Sequence, residues 1–290
     1  DGRNAFYHYI YDSLRINVPY NKFVTDMLTA TTIAARDSGP ANLLMRDYVG
    51  NDKVDGYVMH EDTLDEIAIS TAKYFLGINM ECVSCHDGAG HLEPINLWLS
   101  KRKRAELWRE AAFFGNIRIF RPTLGDDNFA LLEGPPLEKY AQFQMGGNGY
   151  NIGAPSAVRP ARYKADVSPR FILNGEQPQP GRNLRQEFAR ILTSDPQFAK
   201  TTVNMIWAEL MGVGIVDPPF GWDLARQDPK NPPPAPWTVQ PTDPELLEAL
   251  AQDFRQHNSD LRHLMALITK SSAYQLSSRF PGEWKEEYSR

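Results

Sequence analysis

The five residues Cys82-Val83-Ser84-Cys85-His86 constrain this chain more than any other segment. Two thiols three positions apart can add to the two vinyl groups of one porphyrin, and the histidine that follows then reaches the iron from the same side. Cys-x-x-Cys-His therefore reads as a c-type haem attachment site. The chain has only two cysteines in 290 residues, both in this pentad, so no leftover thiol needs a role. Three other uses of the thiols are open. A redox dithiol of the thioredoxin type belongs after a strand, whereas the segment before Cys82 has a helical period. A structural zinc site could recruit Cys82, Cys85 and His91 but needs a fourth ligand. A disulfide across two residues closes too small a loop to stabilise much. The haem reading uses all three side chains and predicts one haem c per chain, with Cys82 and Cys85 as thioether positions and His86 as the proximal iron ligand.

A macrocycle needs an apolar cage, and a chain that is 42% hydrophobic and 11% aromatic can supply a sizeable core. The net charge of -5, with both signs interspersed, leaves no electrostatic footprint for nucleic acid. No stretch approaches the roughly 18 apolar residues of a membrane span, and the opening Asp1-Gly2-Arg3-Asn4 is not a signal peptide. Covalent haem attachment takes place outside the cytoplasmic membrane. The motif therefore predicts an extracytoplasmic protein (periplasmic, outer-surface or secreted) whose export signal lies upstream of Asp1.

The hydrophobic period predicts a mainly α fold that is not a small classical cytochrome c. A haem-bearing helical domain is expected over residues 1–118, a loop-rich connector with a few short strands over 119–181, and a second helical domain over 182–290. Within the first, Phe6, Ile10 and Leu14 mark one helix face, a second helix runs from Asn21 to about Ala30, and Thr63-x-x-Glu66 is a capping box for a helix ended by Gly77. Pro94 is expected to open a long helix to Gly115. Ile117–Phe120 and Arg170–Leu173 read as short strands. Further on, Asn183, Asp195-Pro196, Asp243-Pro244 and Ser259 each start a helix. The Pro-rich run 217–241 should be an extended surface excursion.

The segments Phe6 to Tyr11, Pro19 to Val24, Phe75-Leu76-Gly77 and Cys82 to His86 resemble the planctomycete-type cytochrome c domain of secreted bacterial proteins. The stretches Pro169 to Gly175, Val203 to Ala208, Gly212 to Pro218, Pro241 to Leu247 and Ser272 to Ser278 resemble the domain that follows it in the same proteins. The likeness covers nearly the whole chain and implies a haem-bearing extracytoplasmic protein, without specifying a reaction. Many members of that family carry Cys-x-x-Cys-His-x-His, whereas here Gly88 stands at the last position and the next histidine is His91.

The second axial ligand decides the chemistry. His91 follows His86 by five residues, a reach of about 17 Å at full extension, nearly all of which would be used in passing the porphyrin rim. It is better placed near the haem edge or on the same side, as a supporting group or a contact to a neighbour, with the distal position as its alternative. His60, with Met59 as alternative, lies one helix upstream and is far enough along the chain to fold over the distal face; histidine there gives a low-potential carrier and methionine a higher one. Trp98 and Trp108 are candidate cage residues, and Arg102 and Arg104 are candidate partners of the haem propionates or part of a solvated helix face. Together these point to a monohaem carrier of single electrons, working with a redox partner protein or with copies of itself in a larger assembly, the second half serving as scaffold or docking surface. Two rivals stay open: a haem enzyme of peroxidase or oxidase type with an open sixth site, and a non-redox, glycan-associated protein in which haem staples the fold.

Overall fold

Unpaired N–H groups at a helix start need acceptors, and this chain places Asp or Asn side chains where several helices begin. The computed structural model describes residues 1–51, 54–122, 128–134, 147–276, 282–283 and 285, with no description of the side chains of 51 and 54–57. Asp1 caps α1 (Gly2–Arg15), and Pro19 precedes α2 (Tyr20–Thr29). The short α3 (Asn42–Met45) leads to the antiparallel ribbon of β1 (Gly50–Asn51) and β2 (Val54–Val58), which runs into α4 (His60–Leu76). Next come α5 (Glu81–Cys85) and α6 (Arg104–Ala111), then a second antiparallel ribbon in which β3 (Ile117–Phe120) pairs with β4 (Ala130–Glu133). After the connector, Asn183 caps α7 (Leu184–Ser194), Asp195 with Pro196 opens α8 (Pro196–Met211), Asp243 with Pro244 opens α9 (Pro244–Gln256) and Asp260 caps α10 (Leu261–Thr269). The fold is mainly α, as expected. Among the described residues, no helix is long and apolar enough to cross a membrane.

Local signals misled at six places. α4 opens at His60, ahead of Thr63; the Thr63 hydroxyl accepts from Val49 N instead of closing a capping box, while Glu61 and Asp62 occupy the first turn, where the helix dipole favours them. The long helix expected from Pro94 does not form: residues 94–98 are turns, Leu99–Lys101 makes a single 3-10 turn that stops at the extended Arg102, whose carbonyl accepts from Gly88 N, and α6 starts only at Arg104, with Glu106 accepting from Lys103 N. Arg170–Leu173 is a turn, not a strand: Phe171 and Ile172 are buried and Ile172 N donates to Glu110. Ser259 belongs to the turn before α10 and leaves the cap to Asp260, and Leu14 on α1 is exposed while Ser13 is buried. The Pro-rich run is only partly a surface excursion. Pro232 and Pro234 are exposed, but Trp222 is fully buried, and the carboxylate of Asp223 is likewise withdrawn from solvent.

Both helical regions feed one core. α2 packs on α7 and α4 on α8, with Phe188 of α7 touching Phe113 and Phe114 at ring separations of 5.4 and 4.9 Å. Polar side chains of the second region also finish helices of the first. The buried Arg185 donates to the carbonyls of Leu28 and Ala30 at the end of α2 and pairs with Glu133, and Gln197 donates to the Leu76 carbonyl at the end of α4. These are the carbonyls a helix C-terminus leaves unpaired.

The described connector residues strap down the N-terminal half of α4; residues 123–127 and 135–146 of the expected connector lie outside the described residues. Arg162 bridges Asp62 (2.9 Å) and Asp65 (2.7 Å) with all three side chains essentially buried, and its Nε donates to Tyr150, whose hydroxyl donates to Asp65. Ser156 and Ala157 N complete the shell of Asp62, and Arg159 pairs with Glu66.

Removing one partner of a buried charge cluster strands the others, so Arg162→Met should cost about 3 kcal/mol of stability or more, read as a lower urea midpoint at unchanged slope. Burial pushes Glu110 up to about 8 from its ordinary 4.5, opposed by its bond from Ile172 N. A carboxyl whose folded value is raised contributes stability below the unfolded value and loses it as pH rises through the folded one. Glu110→Gln should therefore gain on the native chain between pH ~4.5 and ~8, and parallel pH-stability curves for the two proteins would contradict this.

Candidate functional site

The chain enters the site through Gly77, the left-handed end of α4, and buries Ile78 and Met80 before α5 begins. On α5, Val83 and Ser84 turn inward, while Cys82 and Cys85, three apart on one face, are exposed free thiols. His86 ends the helix in extended conformation (φ -147°, ψ 159°), its Nδ1 2.9 Å from the Asp87 carbonyl. A carbonyl can only accept, so this bond assigns the proton to Nδ1 and leaves the Nε2 lone pair for a metal. Two outward thiols and a tautomer-locked imidazole fit the requirements of a covalently held haem.

Beneath α5 lies Arg104. Its Nε donates to the Ser84 carbonyl (3.1 Å), its other nitrogens donate to the carbonyls of Pro160 (2.8 Å) and Ala161 (3.2 Å), and it stacks over Trp108 at 5.0 Å. The residue is buried, so the reading of Arg104 as a solvated or propionate-facing group is corrected: its donors are taken up in fixing the helix that carries the thiols. Trp108 is fully buried, covered by Tyr163 at a ring separation of 4.7 Å. Asp87 accepts from Arg104 N and from the Tyr163 hydroxyl. Trp98 is half-buried under the Arg102 guanidinium (4.6 Å), which also pairs with Glu106 at 2.9 Å.

Gly88 answers the departure from the resembling family's pattern. A Cβ there would stand 2.0 Å from the Leu99 carbonyl oxygen, so the close approach of the two backbones leaves no room for a side chain. The turn that follows, with His91 N and Leu92 N both donating to the Gly88 carbonyl, returns His91 beside His86 at a ring separation of 4.6 Å. Met59 and His60 stand at the N-terminal end of α4, whose 17 residues span about 25 Å, and the motif follows the other end. His60 is buried with a backbone hydrogen bond to Gly115, burial pushes it down to about 4, and its Nε2 has no partner.

The far half of the chain grips both flanks of the motif. Trp222 lies against Gly77, where a Cβ would meet the indole at 2.3 Å, and the Trp222 carbonyl accepts from Asn96. Asp223 accepts from Leu97 N (2.7 Å) and Trp98 N (3.0 Å). Sequence reasoning missed Arg104 as a support, Tyr163, Gln197, Trp222 and Asp223. Only Gly88 carried a local signal, a glycine beside the motif where the resembling family often has a side chain.

Residues 1–117 match the family model PSCyt2, a protein of unknown function (DUF1549), and residues 184–288 match PSD1, a protein of unknown function (DUF1553). No curated protein and no solved structure matches the chain.

Gly88→Ala should lower stability by about 1–3 kcal/mol through the clash with Leu99, measured by denaturant unfolding; an unchanged midpoint would show that the loop yields freely.

Proposed function

We propose, from the match of residues 1–117 to PSCyt2 and 184–288 to PSD1 and from the likeness to planctomycete-type cytochrome c proteins, that the chain is an extracytoplasmic electron-transfer protein holding one haem c on α5. The observation that carries this reading is the combination of Cys82 and Cys85 exposed on one face with His86 held through Nδ1. Such a group supplies a reversible one-electron change at its iron when bound. Cys82 and Cys85 hold it through two thioethers, and His86 offers Nε2. The Asp87 carbonyl keeps the ring in the right tautomer and makes it a stronger donor. Arg104 and Gly88 fix the short helix and the turn after it, so the three attachment atoms keep their mutual positions between oxidation states.

His91 stands next to His86, where it could tune the surroundings of that residue. As further holders of the iron, His60 would be the first candidate and Met59 the second, although both stand at the other end of α4 from the motif; on His60 the atom offered would be the unpartnered Nε2, with the Gly115 bond kept. The exposure of both thiols puts the site at the surface, where a redox partner or another copy of the chain can approach. One site per chain makes that approach necessary for transfer over distance.

Expression in a bacterial periplasm with the haem-attachment machinery should give an intact mass increased by one haem and a reduced spectrum of two-thioether type. Cys82→Ala with Cys85→Ala should abolish both. Recovery of the native chain at its polypeptide mass, or with zinc on the thiols, would overturn the reading. Carbon monoxide should bind poorly to the reduced protein; ready binding with peroxide turnover would replace the carrier by a haem enzyme.

A further inference from the structure

Asp253, His257 and His263 come together far from α5 along the chain, on the two helices that close the described C-terminal region. Asp253 and His257 are four apart at the end of α9, hence on one face. Asn258 and Ser259 then both take left-handed backbone (φ 55°), which reverses the chain tightly enough to bring His263, in the first turn of α10, over His257. The turn is held from outside: Tyr20 N donates to the Ser259 carbonyl, Asn17 to Asp260, and Arg262 to the carbonyls of Leu14 and Arg15. His263 Nε2 lies 2.7 Å from one Asp253 carboxylate oxygen, while His257 Nδ1 donates to the Asp253 main-chain carbonyl at 2.9 Å and lies 3.2 Å from the other carboxylate oxygen. One ligand atom from each residue can be chosen so that all fall within 4.8 Å of one another, and the three side chains are a third to a half exposed.

We propose that these residues form a solvent-open binding site for one borderline divalent transition-metal ion of the zinc type. Two imidazoles and one carboxylate are the donor set such ions take, and a three-ligand site leaves a position for water. The rings now stack at 3.8 Å and 19°, so binding opens them like the covers of a book by rotation about their Cβ–Cγ bonds, which their partial exposure permits. Because ligands from both helices converge on it, the ion ties α9 to α10 and stabilises the folded state by mass action. A carboxylate merely bridging two histidines would serve the turn without any response to metal, and this separates the two cases.

The experiment uses the full chain with Cys82→Ala and Cys85→Ala, so that the thiols do not compete for the ion. Zn2+ titrated in a calorimeter should show saturable binding of one ion per chain and raise the melting temperature. Both effects should disappear in His257→Gln with His263→Gln, and Asp253→Asn should weaken the binding. Absence of saturable binding at millimolar Zn2+, or the same isotherm in the histidine variants, would overturn the proposal. Circular dichroism of each variant confirms that the comparison is between folded proteins. Either result is independent of the haem reading, since the attachment thiols are absent throughout.

Discussion

A helix of five residues has no stability of its own, because nucleation costs more than so few hydrogen bonds return. α5 must nevertheless present two thiols and an imidazole in fixed relation. Its order is therefore imposed from outside, chiefly by Arg104, whose guanidinium meets the Ser84 carbonyl between the two cysteines and spends its other donors on the connector. The surrounding structure is intelligible as a set of constraints on that short element. Val83 is locked into the core, Gly88 presses its backbone onto Leu99, and the connector that receives Arg104 is itself tied to α4 by the buried bridge from Arg162 to Asp62 and Asp65.

The second half of the chain completes this frame. Gln197 satisfies the last carbonyl of α4, Trp222 covers the glycine that ends it, and Asp223 takes the backbone donors of Leu97 and Trp98 on the far side of the motif. Arg185 does the same service for the end of α2. Each is a polar group withdrawn from water with its partner supplied by the other half, an arrangement in which loss of either side leaves a costly unpaired group. The two matched regions share a core and a hydrogen-bond network across it.

Much of this was legible in the sequence. Helices that begin with Asp or Asn, such as those at Asn183, Asp195 and Asp243, lie where their caps put them, and the pentad Cys82–His86 that stands out in the sequence lies with both thiols exposed on one short helix. Failures occurred where a distant residue outweighed a local signal. Thr63 looked like a cap but its hydroxyl accepts from Val49 N, and the helical period after Pro94 gives only turns up to Arg102, whose carbonyl accepts from Gly88 N. Proline content around residues 217–241 pointed to the surface and concealed Trp222, whose burial depends on a glycine far back in the chain. Arg104 looked like one of four solvated cations; nothing local distinguishes it from Lys103, and only the tertiary position of Ser84 and Pro160 does so. Residues that assemble across long sequence separations leave no periodic trace.

The contact of Trp222 with Gly77 has a consequence for descent. A side chain at position 77 would collide with the indole, and a smaller residue at 222 would open a void beneath the entry to α5, so neither position can drift alone. Hybrids assembled from the front of one relative and the back of another would have to inherit this pair as a unit, and lineages diverging in one region should show compensating exchanges in the other.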